Sequence, residues 1–315
     1  MWLVRYIPEE TSYGFMRLRL FAFPLSAVLS ILSVLLFFAW GMNFGIDFKG
    51  GTLVELQARQ GQVNVGDIRQ RGSALGFGSV EVQEFGGGRD VSLRVELQPG
   101  GDQAQQVVVT RLRETFEREY EFRRVEVVGP RVSGELVQSG TLGVVLAILS
   151  VLVYLWFRFE WQFAVGAVIA TLHDLVLTIG FFAVTQLQFD MTSIAAILTI
   201  LGYSLNDTVV VYDRIRETLR KYKRMTIYEL IDLAVNQTLS RTILTGVTTF
   251  LALIALAVFG SEVIKGFAYA MLFGLVIGTY SSVFIGAPML IYLGLRTAPS
   301  SEATVAPGKT PQAAE

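Results

Sequence analysis

The 315-residue sequence contains no cysteine and a single histidine, His173. Without thiols it builds neither a disulfide framework nor a thiolate metal site, and thiol nucleophiles are excluded as well. One histidine rules out a multi-histidine metal centre, so no metal site is expected. Charge is sparse and balanced, 26 Lys+Arg against 27 Asp+Glu, which leaves no bulk positive charge to hold a nucleic acid. No G-x-S-x-G nucleophile elbow is present. The nearest approach to a nucleotide motif is Gly45-Ile-Asp-Phe-Lys-Gly-Gly-Thr52, where Gly51 stands in place of the essential P-loop lysine. Gly50 and Gly51 read instead as a device for unusual backbone geometry, with Asp47 and Lys49 orienting the domain that follows. An enzyme is not expected, and no cofactor is implied.

What the chain has in abundance is apolar residues, 52% of the total, concentrated in long runs. Six runs reach the length of about 20 residues that a membrane-crossing helix needs: 18–41, 136–157, 161–184, 190–212, 235–260 and 264–293. The first exceeds a signal-peptide core and lacks a small-residue cleavage site, so it stays as an anchor. Flanks on one side carry Arg5, Arg17, Arg19, Arg158, Arg214, Arg216, Arg220, Lys221, Lys223, Arg224, Arg296 and Lys309, whereas short loops on the other carry only Lys265. The positive-inside rule therefore places both termini in the cytoplasm, with residues 1–17 and the connection 214–234 on the same side. The chain reads as a multi-pass protein of the cytoplasmic (inner) membrane, in contact with membrane lipid. The tail, 294–315, is Pro/Ala/Ser/Thr-rich and expected to be disordered.

Between the first two spans, 42–135 changes character to a polar segment with alternating valines. Strands are expected at 53–58, 79–84, 91–97 and 122–128, with a Gly86-Gly87-Gly88 connection between the second and third. Helices are expected at 63–75, with Asp67 near its start, and at 102–120. Asp102 is placed as the cap of the second, with Val107, Val108, Leu112 and Phe116 on one face. The order β-α-β-β-α-β is that of a ferredoxin-like α+β domain. The fold class is thus a polytopic α-helical membrane protein of six transmembrane helices, with one extracytosolic α+β domain between helices 1 and 2.

Inside the fourth run lie Asn206 and Asp207, with Asp213 at its cytoplasmic end. Six residues at ~1.5 Å each set Asp207 about 9 Å from that end. A charged side chain at the centre of a span costs ~2.5–3.5 kcal/mol by insertion scales, so Asp207 must face the interior with a partner or water. Arg241 of the fifth run lies at a similar depth, and Thr245 one turn beyond it. The third run adds His173 and Asp174. A lone Asn or Ser within a span is commonly helix glue, but two acids, an Arg and a His on three neighbouring spans point to an ion or proton pathway. Gly274-x-x-x-Gly278 of the last run reads as close helix packing.

Three stretches carry a resemblance: Phe44-Gly-Ile-Asp-Phe-Lys-Gly-Gly51, Leu172-His-Asp174, and Tyr203-Ser-Leu-Asn-Asp-Thr-Val-Val-Val-Tyr-Asp-Arg-Ile-Arg-Glu217, with Ser240-Arg-Thr242 following the pattern. Over about residues 15–295 the chain resembles the SecF side of the SecD/SecF family of bacterial protein-export membrane proteins, within the resistance-nodulation-division superfamily. The resemblance implies a half-transporter that pairs with SecD beside the SecYEG channel, often with YajC. Such a unit uses proton or sodium motive force to promote translocation of a preprotein. It also implies that Asp207 and Arg241 belong to the ion pathway, with Thr245 close by, and that His173 and Asp174 fall on family positions. Burial favours a neutral acid and a nearby cation a charged one; balanced against each other, they leave an acid able to exchange protons. Rival readings are an exporter of a small molecule or lipid, for which one set of six spans offers no second half, and a scaffold subunit whose buried acids are inert.

Overall fold

The computed structural model describes residues 11–85 and 87–295. Arg5, Arg296, Lys309, Gly86 and nearly all of the tail lie outside the described residues. In chain order, α1 (Phe15–Trp40) leads through the single turn α2 (Ile46–Lys49) into β1 (Gly51–Ala58), α3 (Val65–Ser73), β2 (Val80–Phe85), β3 (Asp90–Val95), α4 (Gly101–Phe116) and β4 (Tyr120–Val128). Then come α5 (Pro130–Arg158), α6 (Trp161–Thr185), α7 (Met191–Lys221), α8 (Ile227–Phe259) and α9 (Glu262–Ser281). A π-helical turn, Ser282–Gly286, joins α9 to α10 (Ala287–Tyr292). Six helical units among the described residues are long and apolar enough to cross a membrane: α1, α5, α6, α7, α8 and the α9–α10 unit.

The α+β domain has sheet order β2-β3-β1-β4 with every neighbouring pair antiparallel, the split βαβ arrangement expected from the element order. Alternation fixes the faces: Val54, Leu56, Val82, Val91, Leu93 and Val95 turn one way and bury against Ile68 of α3 and Val108, Leu112 and Phe116 of α4. Two details of α4 depart from the expectation. Val107 is 53% exposed, because the buried stripe runs through Gln105, which hydrogen-bonds Thr52 at 3.2 Å. Asp102 is not the cap: Gly100 holds that position, without a side-chain bond, and Asp102 lies in the first turn against Gly129. Asn64 caps α3 by accepting from the Asp67 amide at 3.1 Å.

Charged ends make the helices of the bundle longer than their apolar runs. α7 continues through Arg214, Arg216 and Arg220 to Lys221, and α8 begins at Ile227 rather than 235, so the non-helical connection shrinks to 222–226. Capping boxes start both helices, Asp190 with Ser193 in α7 and Thr226 with Glu229 in α8. Over its most apolar stretch the α9–α10 unit is 61% buried and α6 56%, against 11% for α5 and 17% each for α1 and α8. The interior is therefore α6, α7 and α9, and α1, α5 and α8 present apolar faces outward. Gly274 and Gly278 let α9 lie directly on α7: a Cβ at the first would overlap Ile200, and one at the second would sit 2.9 Å from the Ser204 Cβ.

Candidate functional site within the bundle

Two groups of buried polar side chains meet one face of α7. Ser204 and Asp207 are one turn apart on that face, so each reaches a different neighbour. Asp207 is 3% exposed, and its Oδ2 is buried with no hydrogen-bond partner. The charge that acts on it is Arg241 of α8, through space. Among the described residues no ion pair closes between them, and Arg241 is itself exposed on the side of the bundle. The Thr245 hydroxyl donates to its own helix, to the carbonyls of Arg241 at 3.0 Å and Thr242 at 3.1 Å. Tyr203 directs a buried, unbonded hydroxyl toward Thr245, Thr249 and Thr279.

The second group is centred on Asp174, which is fully buried. Its Oδ2 accepts from Ser204 Oγ at 2.5 Å and Ser281 Oγ at 2.7 Å, and its Oδ1 lies 3.0 Å from His173 Nδ1. The carboxylate thus ties α6, α7 and α9 together at the residue where α9 passes into the π-helical turn. That turn leaves the Gly286 carbonyl to accept the Tyr212 hydroxyl of α7 at 3.0 Å.

Two residues from the expected pathway lie elsewhere. Asn206 follows Leu205 by about 100° of helix rotation and points out of the bundle, exposed. Asp213 accepts from Arg158 Nη2 at 2.7 and 2.9 Å, an ion pair that joins the end of α5 to α7 nearly two turns from Asp207. Sequence reasoning passed over Ser204 and Ser281. Small hydroxyls are common in spans, and only the helix rotations bring these two onto one carboxylate.

The Gly45–Gly51 segment works at the other end of α7. Asp47 Oδ2 accepts from the Met191 amide at 3.0 Å, so a side chain preceding the α+β domain satisfies a free N–H at the start of α7. Gly45 donates to the Phe189 carbonyl at 2.7 Å, and its missing Cβ leaves room for that carbonyl and for Gln188. Gly51 has φ +119° against the Val95 carbonyl, a backbone that only glycine adopts without strain. Around this junction Phe44 packs edge to face on Phe48 and Phe189, Phe182 does the same on Phe189, and Phe48 lies tilted against Phe189. Arg94 of β3 adds bonds to Asn43 Oδ1 and the Phe44 carbonyl, both 3.1 Å, and an ion pair to Glu81 at 3.0 Å. Burial pulls the Arg94 guanidinium below its ordinary range, and Glu81 opposes that pull. Lys49, expected to orient the domain with Asp47, makes no side-chain bond among the described residues; it lines a cleft with Glu81, Arg94 and Glu96.

Residues 107–296 match the family model of the protein export membrane protein SecD/SecF C-terminal region, and residues 35–62 match that of the SecD/SecF GG motif. The chain is similar to the protein translocase subunit SecDF of Brucella abortus, 46% identical over 93% of this chain and 39% of that protein. It is 42% identical to the protein translocase subunit SecF of Rickettsia bellii over 91% of this chain and 95% of that one. The crystal structure of SecDF from Thermus thermophilus superposes with a TM-score of 0.80 at 31% identity, covering 94% of this chain and 40% of that chain. SecDF in a super-membrane-facing form gives 0.67 at 32% identity, covering 93% and 39%. The chain spans about two fifths of the SecDF proteins it matches and nearly all of SecF. The two family motifs and the SecF-length similarity agree with the six spans and the α+β domain, and the chain belongs to the SecD/SecF family of protein export membrane proteins, on its SecF side.

Proposed function

We propose that this chain is the SecF-type half of an ion-driven accessory of the Sec system, which with SecD promotes translocation of preproteins across the cytoplasmic membrane. It is not an enzyme on this reading; ATP-driven movement belongs to other components. The observation that carries the proposal is Asp207: a buried acid with an unpartnered oxygen, facing a cation, on the helix whose other end is bonded to the α+β domain through Asp47. The pathway takes in Asp207, Arg241 and Thr245. Asn206 and Asp213 lie apart from that cluster.

Protonation changes the charge that Asp207 presents to Arg241, and with it the preferred spacing of α7 and α8. α7 is a continuous helix from Met191 to Lys221, so a shift or tilt at Asp207 is delivered at Met191, where Asp47 and the Phe189 aromatic junction hold the domain. Each elementary charge that crosses the membrane contributes ~2.3 kcal/mol per 100 mV, so one or two protons suffice to drive a domain motion. The unequal fit to two SecDF structures at near-equal identity is consistent with a fold that takes more than one arrangement.

The exposure of Arg241 supports a partner bundle. A cation on the outer face of a span is costly against lipid, and the SecDF relatives carry a SecD half in the same chain. SecD completes the site from that side, and the SecYEG channel and YajC complete the assembly. The Lys/Arg distribution sets both termini in the cytoplasm and the α+β domain outside, where preprotein emerges. Secretion into membrane vesicles under imposed proton or sodium gradients tests the proposal: an assembled Asp207→Asn variant loses the gradient-dependent component and keeps the ATP-dependent one. Gradient-driven secretion at the wild-type rate by that variant contradicts it.

A further inference from the structure

We propose that His173 and Asp174 form a second proton-binding site, separate from Asp207, in which the proton is taken up at His173 Nε2. The inference rests on the ion-driven reading above and assigns a role to the one buried acid that the Asp207–Arg241 pair leaves unused.

Asp174 has both carboxylate oxygens engaged, by Ser204, Ser281 and His173. Two serine hydroxyls and an imidazole N–H are three donors, and a carboxylate with three donors is held as an acceptor. With Nδ1–H committed to Asp174, the neutral ring presents Nε2 as an acceptor, and Nε2 is buried with no partner. The ring is 8% exposed at its side chain and the carboxylate 0%. A free acceptor beside a buried negative charge is a site for one proton. When a proton arrives at Nε2, the pair passes from neutral imidazole with carboxylate to imidazolium with carboxylate. Its net charge goes from −1 to zero, and the Nδ1–H bond stays in place. Release reverses this at the same nitrogen.

The groups facing the pair come from three helices. α6 contributes His173 and Asp174 themselves, α7 contributes Ser204 with Asp207 one turn away, and α9 contributes Tyr280 and Ser281. The Tyr280 ring lies 6.3 Å from the imidazole, and its hydroxyl bonds α1 through Ser26 Oγ at 3.0 Å and the Ala22 carbonyl at 3.2 Å. His173 is the neighbour that acts on Asp174, and Arg241 the one that acts on Asp207, so each acid has its own partner. The pair is therefore placed to report its charge to α9 and α1, while Asp207 reports to α8. α1 leads directly into the α+β domain, which gives this second site a separate line to the same moving part.

His173 is the only histidine in the chain, so nitrogen-15 histidine labelling reads this site alone in the full-length chain, purified without a histidine tag into lipid nanodiscs. The result expected is one imidazole that holds a proton on Nδ1 at high pH and gains one on Nε2 between about pH 9 and pH 5. That protonation depends on the carboxylate, so it is altered in Asp174→Asn and unaltered in Asp207→Asn. An Nε2 that never changes protonation over that range, or a midpoint indifferent to Asp174→Asn, overturns the assignment. Secretion separates this inference from the reading beneath it. If His173→Gln, assembled with SecD, keeps full gradient-driven secretion while Asp207→Asn loses it, the second site falls and the reading stands. If neither variant loses it, both fall.

Discussion

At the scale of single residues, the energetics turn on what an acid costs inside a span. A charged carboxylate at mid-span costs ~2.5–3.5 kcal/mol, whereas exchanging one neutral intramembrane hydrogen-bonding group for another changes stability by only about 1 kcal/mol. Asp207 keeps one oxygen unbonded in a buried position, which helix glue does not require. Arg241→Leu removes the charge that Asp207 faces, and gradient-driven secretion is expected to fall by about 5–150-fold, the range spanned by coupling energies of ~1–3 kcal/mol. Assembly with SecD and ATP-driven secretion, measured in the same vesicles, remain. Asp207, Arg241 and Asp174 were legible in the sequence because a charge in an apolar run is conspicuous. Asn206 misled by adjacency, since one residue of helix rotates a side chain to another face. Ser204 and Ser281 carry no such signal on their own, because their meaning depends on which carboxylate the packing of α7 and α9 brings to them.

At the scale of elements, α7 is the one that touches every part of the account. Its first turn is capped twice, by Asp190 from within the chain's own box and by Asp47 from the far side of α1. Asp47→Ala leaves the Met191 amide without its partner, and losing a cap of this kind costs ~0.5–2 kcal/mol. The expected outcome is faster hydrogen exchange at 191–193, by about 2–30-fold, with β1 exchange unchanged and gradient-driven secretion reduced. In the α+β domain, Phe116→Ala empties a fully buried site and is expected to destabilise the fold by ~3–5 kcal/mol, read by denaturant unfolding of the intact chain. The strand alternation and the Gly274–Gly278 contact were both visible in the sequence, because each is a local pattern. The Asp47–Met191 bond was not, since 144 residues separate its ends and nothing local marks them. Helix ends are a different matter: apolar runs mark only the spans, while α7 continues through charged residues to Lys221 and α8 begins at Ile227.

At the scale of the whole molecule, the described residues form a bundle of three interior and three peripheral spanning helices. Leu244, Val247 and Leu251 on α8 are exposed beside Arg241, an apolar face interrupted by a cation. We expect a stable complex with SecD from native membranes in mild detergent, checked by co-purification and mass; recovery of the chain only as a monomer contradicts the proposed partner. Because the chain has no cysteine, introduced thiols report without background from it. A cysteine at Gly87 is expected to react with an impermeant reagent from outside, and one at Lys221 is not. The same property allows the central claim, that the charge state of Asp207 sets the position of the α+β domain, to be measured as a distance. Spin labels at Gln106→Cys on α4 and Ser261→Cys at the start of α9 are compared in the SecD complex, with partner thiols replaced, at about pH 5 and about pH 8. The account predicts a distance distribution that shifts with pH in the wild-type background and shifts by less in Asp207→Asn. An identical shift in both, or no shift in either, contradicts it.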